Sequence, residues 1–416
     1  MKLHHLAGAA LLAAPGVQRV FAALDGDGEE TRVVGGAVRN ALLGAPAPDI
    51  DFATTATPDV MLARAAAAEL RTIPTGVEHG TITFLVDGDT FEVTTLREDI
   101  ETDGRRAKVR FGRSFERDAL RRDFTINALS LGADGAVHDY AGGLADIDAR
   151  RVRFIGEARQ RIREDYLRSL RFFRFHAAYG SGALDAEGFS AIVREREGLR
   201  TLSRERVRAE LFKLLSAPRA AGVATDMSDA GLLQPLLGGI VQPARLARVI
   251  DIEAARGEAP DTTRRLVALC VVIAEDAERL REQLRLSNLE ASRARRAAEA
   301  RISRRDPPSP RELYTMLFEH GRVAARDALT LAQADAGAPA DDPGWLSAWR
   351  FLCDTPEPRL PFSGADILAR GVSPGTEVGR ALKRLQAGWI RAGFPKDAAT
   401  LARLLDAAMA GGVKAT

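Results

Sequence analysis

Asp49 and Asp51 stand two residues apart in a short β-rich run, Asp49-Ile50-Asp51-Phe52-Ala53. Side chains on a strand alternate faces, so this spacing turns both carboxylates to one side. Such a pair suits magnesium, which prefers oxygen ligands and keeps waters and substrate phosphates in its shell. Glu92, between Phe91 and Val93 on a second expected strand, offers a third carboxylate. Taken alone, Asp-x-Asp equally describes two solvated carboxylates at a strand end. Gly35-Gly36 falls between an expected strand over 32–34 and a helix over 37–43, where unobstructed backbone amides can receive a triphosphate. The pair also reads as an ordinary tight turn. It is not a Walker loop, since no Gly-Lys-Ser/Thr follows, nor a dinucleotide fingerprint, since the third glycine is missing.

These groups need a sheet to hold them, and residues 31–140 supply the pattern of one. Short β-rich runs alternate there with helical and turn-forming stretches. Thr57-Pro58-Asp59 opens a helix expected to reach Leu70, and the runs 81–86 and 90–96 read as a hairpin turned at Asp87-Gly88-Asp89. The charged, glycine-punctuated run from Arg97 to Val109 has no clear period and is expected to be mobile. From about Arg150 the chain changes to long Arg-, Ala-, Leu- and Glu-rich helical periodicity, with proline-rich breaks at 307–310 and from 339 to 361. The sequence therefore predicts an α+β chain of at least two domains, because 416 residues with 46% hydrophobic content exceed a single core.

Charge is informative only locally, since the net charge is +2 with 28% charged residues. Nine arginines lie between Arg150 and Arg174 against Glu157, Glu164 and Asp165, an excess that suits phosphates. A second basic group, Arg293, Arg295, Arg296, Arg301, Arg304 and Arg305, reads either as a solvated helix face or as a grip on RNA phosphates. Cys270 and Cys353 form no CxxC and imply neither zinc nor a disulfide framework, which fits a reducing cytoplasm. The early run Leu6 to Ala14 superficially resembles a signal peptide. It breaks at Pro15-Gly16 and resumes as Val17, Val20, Phe21 and Leu24, the spacing of a packed helix. No apolar stretch reaches membrane-spanning length, so no membrane association is expected.

Gly35-Gly36-Ala37-Val38-Arg39-Asn40 followed by Asp49-Ile50-Asp51 resembles the first motif of class II CCA-adding enzymes and their bacterial poly(A) polymerase relatives, in the DNA polymerase β nucleotidyltransferase superfamily. Four further segments follow in family order: Arg121-Arg122-Asp123 through Asn127, Asp139 to Ile147 with Gly142-Gly143, Glu164-Asp165-x-x-Arg168 through Arg171, and Arg206 to Glu210. The resemblance spans roughly Val33 to Leu215. It departs at Asn40, where aspartate is more usual; asparagine keeps the hydrogen-bonding oxygen and loses the charge.

What the resemblance implies is concrete. The fold would be a polymerase β-like nucleotidyltransferase head, a mixed sheet with flanking helices, over residues 1–146. A helical neck selecting the base would occupy 147–225, and a helical body and tail binding tRNA 226–416. Asp49 and Asp51 would hold catalytic magnesium, with Glu92 as a third catalytic carboxylate. Gly35, Gly36, Arg39, Arg121, Arg122, Asp123, Asn127, Glu164, Asp165, Arg168 and Arg171 would bind nucleotide, Asp123 accepting from the ribose 2′-hydroxyl. Asp165 and Arg168, one turn apart on a single helix, would read the Watson–Crick edge of cytosine or adenine, each with an amino donor beside a ring-nitrogen acceptor. Asp139, Gly142 and Gly143 would form a hinge, and Arg206 and Glu210 would be structural. The substrates would be CTP, ATP and the 3′ end of tRNA, with no stable protein partner. The mobile run would resemble the family's flexible loop and argue for full CCA addition. The alternatives are a bacterial poly(A) polymerase, whose Gly-Arg-Arg-Phe-type strand has no counterpart at 73–83, and an inactive RNA-binding fold.

Overall fold

The computed structural model describes residues 10–410 except 48, 104–105 and 302–303. The first half of the apolar N-terminal run and the turn residues Gly104-Arg105 thus lie outside the described residues. The chain divides into two compact units, Met1–Leu236 and Leu237–Thr416. It is α+β: a seven-stranded mixed sheet in the first unit, then helices.

The first unit opens with α1 (Pro15–Leu24), which starts on proline and buries Val17, Val20, Phe21 and Leu24, as its spacing predicts. Strand β1 (Thr31–Val34) leads through Gly35 into α2 (Gly36–Leu42), and Gly35 takes φ +68, a region that only glycine enters freely. After β2 (Asp51–Thr54) comes α3 (Pro58–Ala67), which ends short of the expected Leu70 because Glu69 turns to φ +55. Strand β3 (Arg71–Gly76) precedes the hairpin of β4 (Thr81–Val86) and β5 (Asp89–Thr95), whose two-residue turn Asp87-Gly88 has positive φ at both positions.

The run expected to be mobile is instead a two-stranded ribbon. Strands β6 (Arg97–Asp103) and β7 (Arg106–Phe111) pair antiparallel as a sheet of their own, with a register shift between Asp99 and Glu101. Ala107, Val109 and Phe111 alternate along β7, but β6 holds Ile100 alone among charged and polar residues, so the run as a whole shows no strand period.

The main sheet runs β3-β4-β5-β2-β1-β8-β9, with β8 (Ser130–Gly132) and β9 (Val137–His138) closing one edge. Only β2 and β5 pair in parallel, and their register sets Asp51 beside Glu92. The β2 side chains Phe52, Ala53 and Thr54 are buried while Asp51 stays exposed at the strand start. Phe52 packs edge-on against Phe21 and Phe91 at centroid distances of 5.3 and 6.0 Å, locking α1, β2 and β5 together.

Beyond the sheet come α4 (Phe115–Leu120), α5 (Gly143–Asp148), α6 (Ala158–Glu164), α7 (Leu167–Tyr179), α8 (Ala186–Arg194), α9 (Arg204–Leu215) and α10 (Ala220–Asp229). A phenylalanine cluster joins α7 to the sheet side. Phe124 lies 4.9 Å from Phe154 and 5.4 Å from Phe175, and Phe154 stacks on Phe172 at 5.6 Å.

The second unit is helical. Trp345 is buried among Leu313, Leu317, Ala328, Leu329 and Leu352. Beside this apolar core runs a buried charge network: Arg264 donates to Asp327 at 2.9 Å and pairs with Glu253 and Glu258, and Arg265 donates to Glu253 at 2.7 Å. Arg293, first of the C-terminal basic group, belongs to this network through Asp327 and Asp261. Arg295, Arg301 and Arg304 pair with Glu278, Asp335 and Glu312, so four of the six cations are spent within the unit. Cys270 is fully buried and burial pushes its thiol up to about 12, which makes it inert near neutrality. Among the described residues no helix is long and apolar enough to cross a membrane.

Phe124 is fully buried. Phe124→Ala is expected to cost about 3–5 kcal/mol and to lower the N-terminal unit's thermal transition by roughly 10 °C, read by differential scanning calorimetry. A shift under about 2 °C would mean that the cluster is not what ties α7 to the sheet.

Candidate active site

Two of the clefts on the first unit are of opposite charge. The acidic one, about 650 Å³, is lined by Asp49, Ile50, Asp51, Asp89, Phe91 and Glu92 together with the start of α1. Asp49 lies in the bend before β2 and not within the strand, so the approach of the two aspartates comes from the bend, not from strand alternation. Burial pushes the Asp51 carboxyl above the usual aspartate range, the charges of Glu92 and Asp49 push the same way, and Arg122 opposes them. A divalent cation relieves that repulsion, so this donor set fits a hard, oxygen-seeking ion. Among the described residues no three His, Cys, Asp or Glu side chains are grouped so as to hold a metal ion by themselves. Magnesium's habit of keeping waters and substrate oxygens accords with such an open arrangement.

The basic cleft, about 520 Å³, gathers Gly35, Gly36, Arg39, Arg121, Arg122, Asp123, Asn127, Asp165, Arg168 and Arg171, with Arg174, Phe175 and Arg206. Arg39 is buried and donates to Asn127 at 2.5 Å, Asn40 at 2.8 Å and the Tyr179 hydroxyl at 2.9 Å. Its guanidinium lies 4.1 Å over the Tyr179 ring. Burial holds Arg39 below the usual arginine value, with Tyr179 opposing. Asn40 meanwhile donates to the Pro46 carbonyl at 2.7 Å, tethering the loop that leads to Asp49. A carboxylate at position 40 would accept from Arg39 but lack the donor for Pro46.

Arg121 and Arg122 are held by a residue that the sequence reading missed. Asp118, on α4, accepts from Arg121 Nε at 2.8 Å and from Arg122 Nη2 at 3.0 Å. The i, i+3 and i, i+4 spacing was the signal. Asp123 is buried; its Oδ2 accepts from Arg171 Nε at 2.6 Å, and its Oδ1 from Asn127 Nδ2 and the Phe124 amide. Burial raises the Asp118 and Asp123 carboxyls, but their arginines and hydrogen bonds outweigh it and hold both below the usual range.

Asp165 and Arg168 do not share a helix. Asp165 caps the end of α6 in extended backbone, and Arg168 lies in the first turn of α7. Tyr166 makes the junction, which helix periodicity read as continuous. Each side chain has its own support: Arg206 donates to Asp165 Oδ2 at 2.7 Å, and Arg168 Nη1 donates to Glu164 at 2.6 Å. Both still line the basic cleft. Glu210 pairs with Arg174 at 2.6 Å, and Phe175 carries Arg174, Arg39 and Arg171 within 5.2 Å of its ring.

Asp139 accepts from the amides of Ala141, Gly143 and Leu144 at the start of α5, while Gly142 takes φ +77. A Cβ on Gly143 would meet the Thr125 carbonyl oxygen at 2.3 Å. The segment is thus tightly capped and packed, and its glycines are needed for close approach.

Because the Asp118 and Asp123 values are depressed in the fold, their pairs contribute fully above the ordinary carboxylate range and are lost as pH falls through the depressed values. Asp118→Asn is expected to destabilise by about 2 kcal/mol near neutrality, and its gap from the parent protein should close in strong acid. Thermal melts across pH check this; a gap that persists unchanged at the lowest pH would assign the loss to packing.

Comparison with known proteins agrees with this geometry. Residues 31–153 match the model of the poly A polymerase head domain, and 183–242 match that of a probable RNA and SrmB-binding site of polymerase A. The chain is 35% identical to the mitochondrial CCA tRNA nucleotidyltransferase 1 of Mus musculus, over 88% of this chain and 84% of that one. It is 33% identical to the CCA-adding enzyme of Leuconostoc citreum, over 89% and 90%. The crystal structure of the Bacillus stearothermophilus CCA-adding enzyme in complex with CTP superimposes with a TM-score of 0.75 at 30% identity, covering 95% of this chain and 98% of that one. By fold, by site and by likeness along nearly its whole length, the chain belongs to the CCA-adding enzymes, the CCA tRNA nucleotidyltransferase family.

Proposed function

We propose that the chain adds C, C and A to the 3′ end of tRNA from CTP and ATP without a nucleic-acid template. The observation that carries this reading is the adjacency of the two clefts. Asp51 pairs in register with Val34, one residue before Gly35, and so the carboxylates and the arginine-lined pocket share the edge of β1 and β2. Asp49 and Asp51, with Glu92 beside them, would hold magnesium, which when bound supplies positive charge to the attacking and leaving oxygens of nucleotidyl transfer. Gly35, Gly36 and Arg39 receive the triphosphate, Arg39 offering a charge whose immediate partners are neutral oxygens. Arg121, Arg122, Asp123, Asn127 and Arg171 form the floor under the ribose.

Base choice falls to Asp165 and Arg168. Arg168 uses only Nη1 on Glu164 and the Arg161 carbonyl; among the described residues its Nε and Nη2 meet no acceptor. A carboxylate accepting from an amino group and a guanidinium donating to a ring nitrogen match cytosine and adenine, and reverse the order that uracil and guanine present. We assign 1–146 as the catalytic head, 147–225 as the base-selecting neck and 226–416 as the tRNA-binding body and tail, with Asp139, Gly142 and Gly143 as the joint between the first two. The paired state of Arg293, Arg295, Arg301 and Arg304 moves the tRNA grip to other cations of that region.

The test is extension of a tRNA transcript lacking CCA, with magnesium and each nucleotide singly and together. Three additions followed by arrest are expected; a long ladder with ATP alone would mean polyadenylation, and no extension with intact tRNA binding would mean an inactive fold. Asp51→Asn should lower the rate at least about a thousandfold, the loss of several kcal/mol of charge stabilisation. Arg168→Ala should raise UTP misincorporation roughly 10- to 100-fold, the worth of one bidentate base contact. A selectivity unchanged in Arg168→Ala would reject the protein template.

A further inference from the structure

Arg161 lines neither cleft, yet its guanidinium joins the Arg121-Arg122 segment of the basic cleft to Glu164, the partner of Arg168. It sits in the middle of α6 with a side chain only 13% exposed. Nη2 donates to the carbonyls of Arg121 and Arg122, the latter at 2.6 Å. Nη1 donates to Glu164 Oε2 at 2.5 Å. That same carboxylate oxygen accepts from Arg168 Nη1 at 2.6 Å, and Arg168 Nη1 also donates to the Arg161 carbonyl at 3.0 Å.

The two carbonyls lie where α4 ends, and helix C-terminal carbonyls lack intrahelical donors and attract cations. A planar guanidinium can span them and a carboxylate at once because its donors leave one plane in fixed directions. The result is a closed chain of contacts from the backbone under the ribose-side arginines, through Arg161 and Glu164, to the arginine facing the base. Along the polypeptide, Arg121 and Arg168 are separated by the rest of the sheet, α5 and α6. Through Arg161 they are two contacts apart.

We infer that Arg161 is a positioning residue for base selection: it fixes Arg168 relative to the Arg121-Arg122-Asp123 segment, so that ribose and base edge are read in one register. This rests on Arg168 reading the base. Glu164 is shared between two guanidiniums; without Arg161 it bonds Arg168 alone and loses its tie to the α4 end, leaving Arg168 free to follow Glu164 away from the base plane. A displacement of about 1 Å in such a site costs on the order of a hundredfold in rate, and the matched base, which depends on directed hydrogen bonds, suffers more than the mismatched one. The sequence reading left Arg161 among the nine arginines taken as general phosphate attraction, since nothing in its spacing names a backbone partner forty residues away.

The experiment is single-turnover addition to tRNA lacking CCA, with CTP and UTP compared for the parent, Arg161→Ala, Arg161→Lys, Arg168→Ala and the double variant, alongside thermal melts. Arg161→Ala is expected to lower the CTP-to-UTP preference about tenfold or more. Arg161→Lys keeps the charge but not the fork and should also lose preference. The double variant should be no less selective than Arg168→Ala alone, since both act through one contact. Equal slowing with both nucleotides at an unchanged preference would overturn the proposal and leave Arg161 a structural residue. Should the alanine variant fail to fold, a lysine variant with the parent's preference overturns it equally. If Arg168→Ala itself leaves the preference unchanged, the base-reading assignment fails and this inference with it; if only the Arg161 variants leave it unchanged, this inference alone fails.

Discussion

Like charges crowd on both sides of Gly35. Asp49, Asp51 and Glu92 gather at the edge of β2 and β5, where desolvation first and the charges of Glu92 and Asp49 second push the Asp51 carboxyl above the ordinary range. Across the turn, Arg39, Arg171 and Arg174 surround one phenylalanine ring. Neither crowd would assemble by itself, and much of the surrounding structure holds them in place. On the basic side a rear row of acids does this: Asp118 behind Arg121 and Arg122, Asp123 behind Arg171, Glu164 behind Arg168, Glu210 behind Arg174. Asp123 and Glu164 are themselves tied from behind, by Asn127 and the Phe124 amide and by Arg161, which keeps the front donors aimed at the cleft before any ligand arrives.

Apolar packing sets where the two rows stand. Phe52 between Phe21 and Phe91 fixes β2 against β5 and thereby sets Asp51 opposite Glu92. Phe124, immediately after Asp123, enters the cluster of Phe154, Phe172 and Phe175, so the Asp123 segment is packed against α7. The distances between charged groups are thus set by ring contacts a residue or two away, which water cannot rearrange.

Much of this could be read from the residues in order, and the failures have physical causes. Strands bounded by Gly, Pro and Asp-Gly were legible because their alternation and turn chemistry agree, as in β4 and β5. The β6–β7 ribbon was not, because β6 holds a single apolar residue, Ile100, and the alternation of Ala107, Val109 and Phe111 in β7 is short beside that charged stretch. The break at Tyr166 was hidden because the residues around it are good helix formers and the junction is held by Asp165 and Arg206, forty-one positions apart. Asp49, Asp51 and Glu92 line one cleft and Gly35, Gly36, Arg39, Arg121 to Asp123, Asn127, Asp165, Arg168, Arg171 and Arg206 the other, whereas Glu164, Glu210, Asp139, Gly142 and Gly143 line neither. Tyr179 and Arg161 were passed over because their partners, the Arg39 guanidinium and the Arg121 and Arg122 carbonyls, lie far away along the chain and leave no trace in local spacing, whereas Asp118 did leave one, three and four residues before its arginines.

The arginine–carboxylate lattice of the second unit, Arg264, Arg265 and Arg293 with Glu253, Asp261 and Asp327, has a consequence for heat. Charged groups lose favourable hydration as temperature rises, so the cost of keeping them buried shrinks on warming, while the hydrophobic contribution per unit area levels off. The helical unit therefore carries a reserve that grows toward high temperature, and the first unit shares in it through Asp146 with Arg151 and Arg153 and through Asp118 with Arg121 and Arg122. As the chain warms, these buried pairs weigh less against the stability of the units that hold them than they do in the cold.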